Sequence, residues 1–234
     1  MEKKIRILIA CEESQEVCKA FRKLGFEAYS CDIQECSGGH PEWHYKQDVF
    51  EVIKLGWDAM IAFPPCTYLT LTGNKWMKPE YSERFPTRIK DRESAISFFL
   101  GLANAPIPRI AIENPIGIMS THYKKPTQII QPYFFGDKAQ KTTCLWLKNL
   151  PPLFHAKEKD LFNENITHTE NESIRVSKSG NRMGEWYYQT GMIPLKNGLR
   201  AKARSKTFPG IAQAMADQWG KYLTEKIIKH FVIH

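Results

Sequence analysis

No stretch of the sequence stays apolar long enough to span a bilayer, and no amino-terminal apolar segment with a cleavage site is present. The expectation is a cytoplasmic chain with no membrane partner. In that compartment the six cysteines (Cys11, Cys18, Cys31, Cys36, Cys66 and Cys144) need not be paired. Tight Cys-x-x-Cys pairs are also missing. Cys31, Cys36, His40 and His44 stand at zinc-like separations, but without such a pair, and with Asp32 better used elsewhere, no metal is assigned. There is no internal repeat and no low-complexity tract.

What is present is ordinary globular composition, 42% apolar and 25% charged over 234 residues. That suffices for one α/β domain with a full core and a small insertion. The formal net charge is +8, which suits an acidic partner, nucleic acid first. Residues 175–206 carry eight Lys or Arg (Arg175, Lys178, Arg182, Lys196, Arg200, Lys202, Arg204 and Lys206) against Glu185 as the one acid, so nearly all the net charge lies there. With Trp186-Tyr187-Tyr188 inside it, this segment reads as a nucleic-acid contact surface; the plainer alternative is a solvated basic loop.

The chain organises around Ala59-Met60-Ile61-Ala62-Phe63-Pro64-Pro65-Cys66. A buried strand runs into two prolines, which cannot extend a central ladder, so a cysteine lands at its carboxyl end. Open α/β sheets place their ligands there. A buried structural thiol is the alternative for Cys66. Farther on, Arg109-Ile110-Ala111-Ile112 is closed by Glu113-Asn114-Pro115, a second strand delivering polar residues and then proline. Neighbouring strands would bring Cys66 and Glu113 into one crevice.

Upstream, residues 4–10 form a first strand and Cys11-Glu12-Glu13-Ser14-Gln15 its turn. Val17, Ala20, Phe21 and Leu24 recur at helical spacing before Gly25, and 26–31 make a second strand ending at Asp32. This is the mononucleotide-binding half of a doubly wound, mostly parallel α/β sheet, with an acid placed for ribose hydroxyls. The usual glycines of the first turn are replaced by Glu12 and Glu13. Two acids repel a pyrophosphate and favour a cationic cofactor with an amino-acid moiety, such as S-adenosylmethionine. Asp48 is placed either to meet an adenine amino group, with Val49 on the ring, or to cap the helix that follows.

The long polar 67–91 stretch reads as a lid or binding loop, and 91–103 as a helix capped by Asp91. Residues 133–136 and 143–147 read as later strands. Pro151-Pro152 marks a boundary, 153–173 an exposed acidic insertion, and 208–228 a helix burying Ile211, Met215, Trp219 and Leu223.

In this order the pieces resemble the cytosine-C5 DNA methyltransferases, nearest to small phage-type members with little or no separate target-recognition domain. The resemblance rests on Phe63-Pro64-Pro65-Cys66, Ile112-Glu113-Asn114-Pro115, the 8–15 loop, Asp32, Gln47-Asp48-Val49, Gln140-Lys141-Thr142-Thr143 and the closing 207–220 stretch. It departs from the family in lacking the glycine-rich turn, the two arginines of Gln-x-Arg-x-Arg and the final Gly-Asn pair.

The resemblance implies a Rossmann-like class I methyltransferase core (1–150), a basic insertion in place of a recognition domain (151–206) and a helix packing back on the core (207–234). It implies Cys66 as nucleophile, Glu113 as its partner at N3, and Asn114 and Pro65 orienting the base. S-adenosylmethionine would be held by Cys11, Glu12, Glu13, Ser14, Asp32, Ile33, Asp48, Val49, Phe63 and Pro64. Lys75, Lys141, Thr143, Arg182, Arg200 and Arg204 would face DNA carrying a flipped cytosine, with the chain a monomer in a bacterial or phage-infected cell. The same chemistry on a nucleotide or RNA, or a non-catalytic DNA-binding role, remains open at this point.

Overall fold

A computed structural model of the chain describes residues 4–158, 166–176, 180 and 182–231. Lys178 of the basic segment lies outside them. Strand β1 (Arg6–Ala10) is followed by helix α1 (Glu16–Lys23), β2 (Glu27–Asp32), a short β3 (His44–Lys46) and α2 (Val49–Ile53). Then come β4 (Ala59–Ala62), two 3-10 segments (Leu71–Met77 and Pro79–Tyr81), α3 (Arg88–Ala103), β5 (Ile110–Pro115), the single-turn α4 (Met119–His122), β6 (Gln128–Ile130) and β7 (Thr143–Lys148). A separate hairpin, β8 (Ile174–Val176) with β9 (Arg182–Gly184), leads into α5 (Glu185–Met192) and α6 (Leu199–Ser205). The chain closes with α7 (Pro209–Ala214), a π-helical stretch (Met215–Trp219) and α8 (Gly220–Phe231).

Seven strands form one sheet in the order β3-β2-β1-β4-β5-β7-β6. The first five run parallel, and β7 is antiparallel to both β5 and β6. Strand alternation sorts the apolar side chains into two layers. Ile7, Ile9, Ala59, Ile61 and Ala111 face α1 and the closing helices, where Val17, Phe21, Ile211, Met215, Trp219 and Leu223 are buried. Leu8, Ala10, Met60, Ala62, Ile110 and Ile112 face α2 and α3, against Val52, Phe99 and Leu102. Burial on both faces accounts for the near-continuous apolar strands. Pro209 opens the closing helices at a position where its missing N–H costs nothing.

Four expectations change. Residues 133–136 are not a strand: 133–135 lie in a 3-10 turn, Pro132–Phe135, and Gly136 caps it in the left-handed region, because Pro132 fixes its first dihedral and removes a donor. Helix α3 begins at Arg88, three residues earlier than read; Asp91 lies in its first turn and accepts from the Thr87 hydroxyl at 2.9 Å. Strand β5 runs through Glu113 and Asn114 to Pro115, since pairing with the reversed β7 continues past the parallel ladder with β4. The 153–173 stretch is not wholly exposed. Leu153 is buried in the core, and Glu172 is buried while accepting from the Gln140 and Trp186 amides.

Candidate active site

Strand β4 ends at Ala62, and the Phe63 amide still donates to the Ala10 carbonyl at 2.9 Å. Pro64 and Pro65 then turn the chain off the sheet. The turn closes on itself, as Leu69 and Thr70 both donate backbone N–H to the Cys66 carbonyl, at 3.0 and 3.2 Å. It is also tied to the neighbouring strand. The buried Asn114 amide donates to the Pro64 carbonyl at 2.8 Å, and the Ile118 amide donates to the Leu69 carbonyl at 2.9 Å. Gly117 admits the Leu69 carbonyl where a Cβ would otherwise sit. The Pro-Pro-Cys and Glu-Asn-Pro segments are therefore one hydrogen-bonded unit built from adjacent parallel strands.

This unit floors a cavity of about 550 Å³ at the carboxyl ends of the strands. Its lining includes Cys11, Glu12, Glu13, Ser14, Asp32, Phe63, Pro64, Pro65, Cys66, Glu113, Asn114 and Lys141, and the α6 side supplies Lys202, Arg204, Ser205 and Thr207. Cys66 and Glu113 thus share one crevice.

Their electrostatics are coupled. Burial pushes the Cys66 thiol up, the Glu113 charge pushes it further, and Lys141 pulls it down. Glu113 is itself raised by burial, opposed by the Lys141 charge and the neighbouring Thr143 hydroxyl. A protonated Glu113 would relieve the charge that disfavours the thiolate, while Lys141 favours both ionised forms. The other shifted thiols are less suited to act: burial raises Cys18 and Cys31 to about 12 and Cys144 to about 11, and Cys11 further.

The two acids of the first turn have different surroundings. Glu12 points under the turn, accepting from the Val17 and Cys18 amides at 2.7 and 3.2 Å. It satisfies the amino terminus of α1, and burial raises it to about 7. Glu12 also lines the cavity, but both of its oxygens are engaged by these amides. Glu13, only 7% exposed, lines the cavity, and neither of its oxygens accepts a hydrogen bond among the described residues. Lys202 Nζ lies 3.3 Å from its Oε2.

Other residues expected in the site are elsewhere or otherwise engaged. Asp48 caps α2, accepting from the Phe50 amide at 2.9 Å, and Val49 is buried beside it. Neither belongs to the cavity lining, nor does Ile33, which is 78% exposed just beyond Asp32. Lys75 sits over the Trp76 ring in the first 3-10 segment, and Arg182 is exposed on β9. Arg200 donates to the Ile193 carbonyl and Arg204 to Tyr187 and Thr190, so both also brace the small subdomain they sit on. Cys31 turns toward the Gln47 carbonyl, and among the described residues no group of three or more His, Cys, Asp or Glu is placed to hold a metal. Lys202, Ser205 and Thr207 line the cavity but were not named as individual site residues from the sequence, and of the three only Thr207 lies in the closing 207–220 stretch.

A seven-stranded sheet in this order with its penultimate strand reversed has the Rossmann-like architecture of class I methyltransferases. No family model and no curated protein matches the chain. Among solved structures it is similar to a candidate DNA modification methyltransferase encoded within an E. coli prophage. That match has 15% identity and a TM-score of 0.42, covering 86% of this chain and 69% of that one. It is also similar to the Entamoeba histolytica methyltransferase EhMeth, with 17% identity and a TM-score of 0.42, over 74% of this chain and 59% of that one. The chain therefore spans less than two thirds of the second protein's length.

Among the described residues no helix is long and apolar enough to cross a membrane.

Proposed function

We propose that this chain is an S-adenosylmethionine-dependent DNA (cytosine-5)-methyltransferase. The observation that carries the reading is the shared crevice of Cys66 and Glu113, with Lys141 beside both. The cavity also suits the methyl donor. Its volume lies within the ordinary range for ligand sites, Asp32 stands at the end of β2, and Glu13 offers a buried carboxylate lacking hydrogen bonds. Glu13, Ser14, Asp32 and Phe63 are the residues that would hold it.

Cytosine C5 is a poor nucleophile until something adds at C6. The Cys66 thiolate is soft and suited to that addition, forming a C–S bond while negative charge moves into the ring. Glu113, whose carboxyl is raised by its enclosed site, donates to N3 in its protonated form and stabilises that charge. The bound cofactor supplies an electrophilic methyl group for C5. Loss of the C5 proton to water then breaks the C6–S bond, releases Cys66 as the thiolate and restores the aromatic ring. Asn114 acts through the backbone, holding the Pro64 carbonyl and so the angle at which Sγ enters the cavity.

A duplex hides C6, so the base must be flipped into the crevice. The 67–87 loop beside Cys66 is a self-packed unit that suits closing over it: Trp76 meets Tyr81 and Phe85 edge-on, and Arg92 holds the Tyr68 carbonyl and the Asn74 side chain. Basic side chains on this loop and on 182–206 supply the contact with phosphates.

The test is transfer from methyl-tritiated S-adenosylmethionine to duplex DNA, with conversion-resistant cytosines mapped by bisulfite sequencing. Wild type should label DNA, and Cys66→Ser should not. Labelling by Cys66→Ser, or labelling of free dCMP or RNA as efficient as that of duplex, overturns the assignment.

A further inference from the structure

The turn between β1 and α1 holds a buried carboxylate that makes no hydrogen bond within the described protein, and an ammonium group reaches it from a distant helix. A carboxylate so enclosed is costly unless a cation or donors satisfy it. Here the cation is Lys202, 3.3 Å away and still partly open to solvent. Both side chains line the cavity that also holds Cys66.

Helix α6, which carries Lys202, buries none of its side chains. It enters through Gly198 in the left-handed region (φ 69°) and leaves through Lys206 in a non-helical conformation. Polar links hold it over the cavity: Lys206 Nζ lies 3.7 Å from Glu16, and Lys141 Nζ donates to the Arg204 carbonyl at 3.1 Å. An element positioned by ion pairs and hydrogen bonds, without apolar burial, can readjust around a ligand at small cost.

We propose that Glu13 and Lys202 form a receptor for a zwitterion, taking the α-ammonium and α-carboxylate of the methyl donor's amino-acid tail. The proposal rests on the assignment of this cavity to S-adenosylmethionine. The chemistry is cross-pairing: the ligand ammonium meets Glu13, its carboxylate meets Lys202, and the four charges alternate in sign. A partly enclosed site strengthens each pairing relative to bulk water. The same pair disfavours a pyrophosphate cofactor, whose negative charges would face Glu13, and it gives no advantage to a nucleoside without the amino-acid tail. The position left without glycines thus gains a selective function from the acid that replaces them.

Calorimetry on the intact chain separates this role from general binding. S-adenosylhomocysteine carries the zwitterionic tail, and 5′-methylthioadenosine keeps the nucleoside but lacks it. Wild type should prefer S-adenosylhomocysteine. Lys202→Met and Glu13→Gln should each weaken it at least tenfold and leave methylthioadenosine within about twofold, whereas Lys202→Arg should retain most of the preference. Unchanged S-adenosylhomocysteine affinity in Lys202→Met overturns the receptor while the cofactor site stands. Equal losses for both ligands overturn it as well, since they mean a damaged cavity. Failure of wild type to bind either ligand overturns the cofactor assignment and the receptor together.

Discussion

The Asn114 side-chain amide donates to the Pro64 carbonyl at 2.8 Å, and this bond couples the carboxyl ends of β5 and β4. Cys66 follows two residues after the acceptor, and Glu113 immediately precedes the donor. The spacing of the two groups that would grip a pyrimidine thus depends on a hydrogen bond within the protein itself.

Replacing Asn114 by Ala leaves a buried carbonyl without its donor, at a cost of about 1–3 kcal/mol in unfolding free energy. The catalytic effect should be larger than the stability effect, because the turn carrying Cys66 loses its anchor. Urea unfolding measures the first and single-turnover transfer the second. Full activity with reduced stability would show that the bond serves the fold alone.

Glu113 and Lys141 act on Cys66 in opposite senses. Glu113→Gln removes a negative charge that holds the thiol up, so Cys66 should titrate lower than in wild type. Lys141→Met removes the opposing positive charge, so it should titrate higher. The pH dependence of Cys66 alkylation reads both shifts. Turnover need not follow reactivity: Glu113→Gln should cut transfer about 10²–10⁴-fold, as loss of a catalytic acid does, although its thiolate is easier to form. Parallel shifts in both variants would contradict the arrangement.

Much of this was legible in the sequence because proline leaves a local signature. Pro64-Pro65 and Pro115 mark where strands leave the sheet, and apolar runs before them mark the strands. The pairing of Cys66 with Glu113 follows once β4 and β5 are neighbours. Local pattern did not reveal the partners of the polar side chains. Glu12 and Glu13 are adjacent, identical in type and both at the cavity, yet Glu12 accepts from two α1 amides and Glu13 accepts no hydrogen bond among the described residues. Their difference arises in the turn, where Cys11 and Gln15 adopt positive φ (60° and 58°). Lys202 reaches Glu13 across 189 positions of chain, a contact set by tertiary packing and invisible to periodicity. Charge counting likewise read 175–206 as one surface, whereas Arg175 pairs with Glu185, and Arg200 and Arg204 brace the carbonyls of their own subdomain.

Glu172 is one polar link between that subdomain and the core, accepting from the Gln140 and Trp186 amides while the backbone of Gly184 packs against its side chain. Glu172→Ala should free both amides and loosen 182–192 relative to the sheet, at about 1–3 kcal/mol. Hydrogen exchange should accelerate at Gln140 and Trp186 and stay unchanged in β1 and β4. Uniform acceleration throughout the chain would mean that the link supports global stability instead.

Glu12 makes the fold sensitive to pH in a direction that can be worked out. Burial raises it from the ordinary 4.5 to about 7, so the folded chain holds this proton more tightly than the unfolded one. Its contribution is complete below about pH 4.5, declines as pH rises, and is gone above about pH 7; the span corresponds to about 3 kcal/mol. Glu12→Gln keeps an acceptor for the α1 amides and cannot ionise. Relative to wild type, it should therefore gain stability between pH 5 and pH 8, read as the difference in urea unfolding free energies across that range. A constant difference would mean that Glu12 does not titrate there, and the carboxylate beneath the first turn would then have to be ionised throughout, stabilised by the Val17 and Cys18 amides alone.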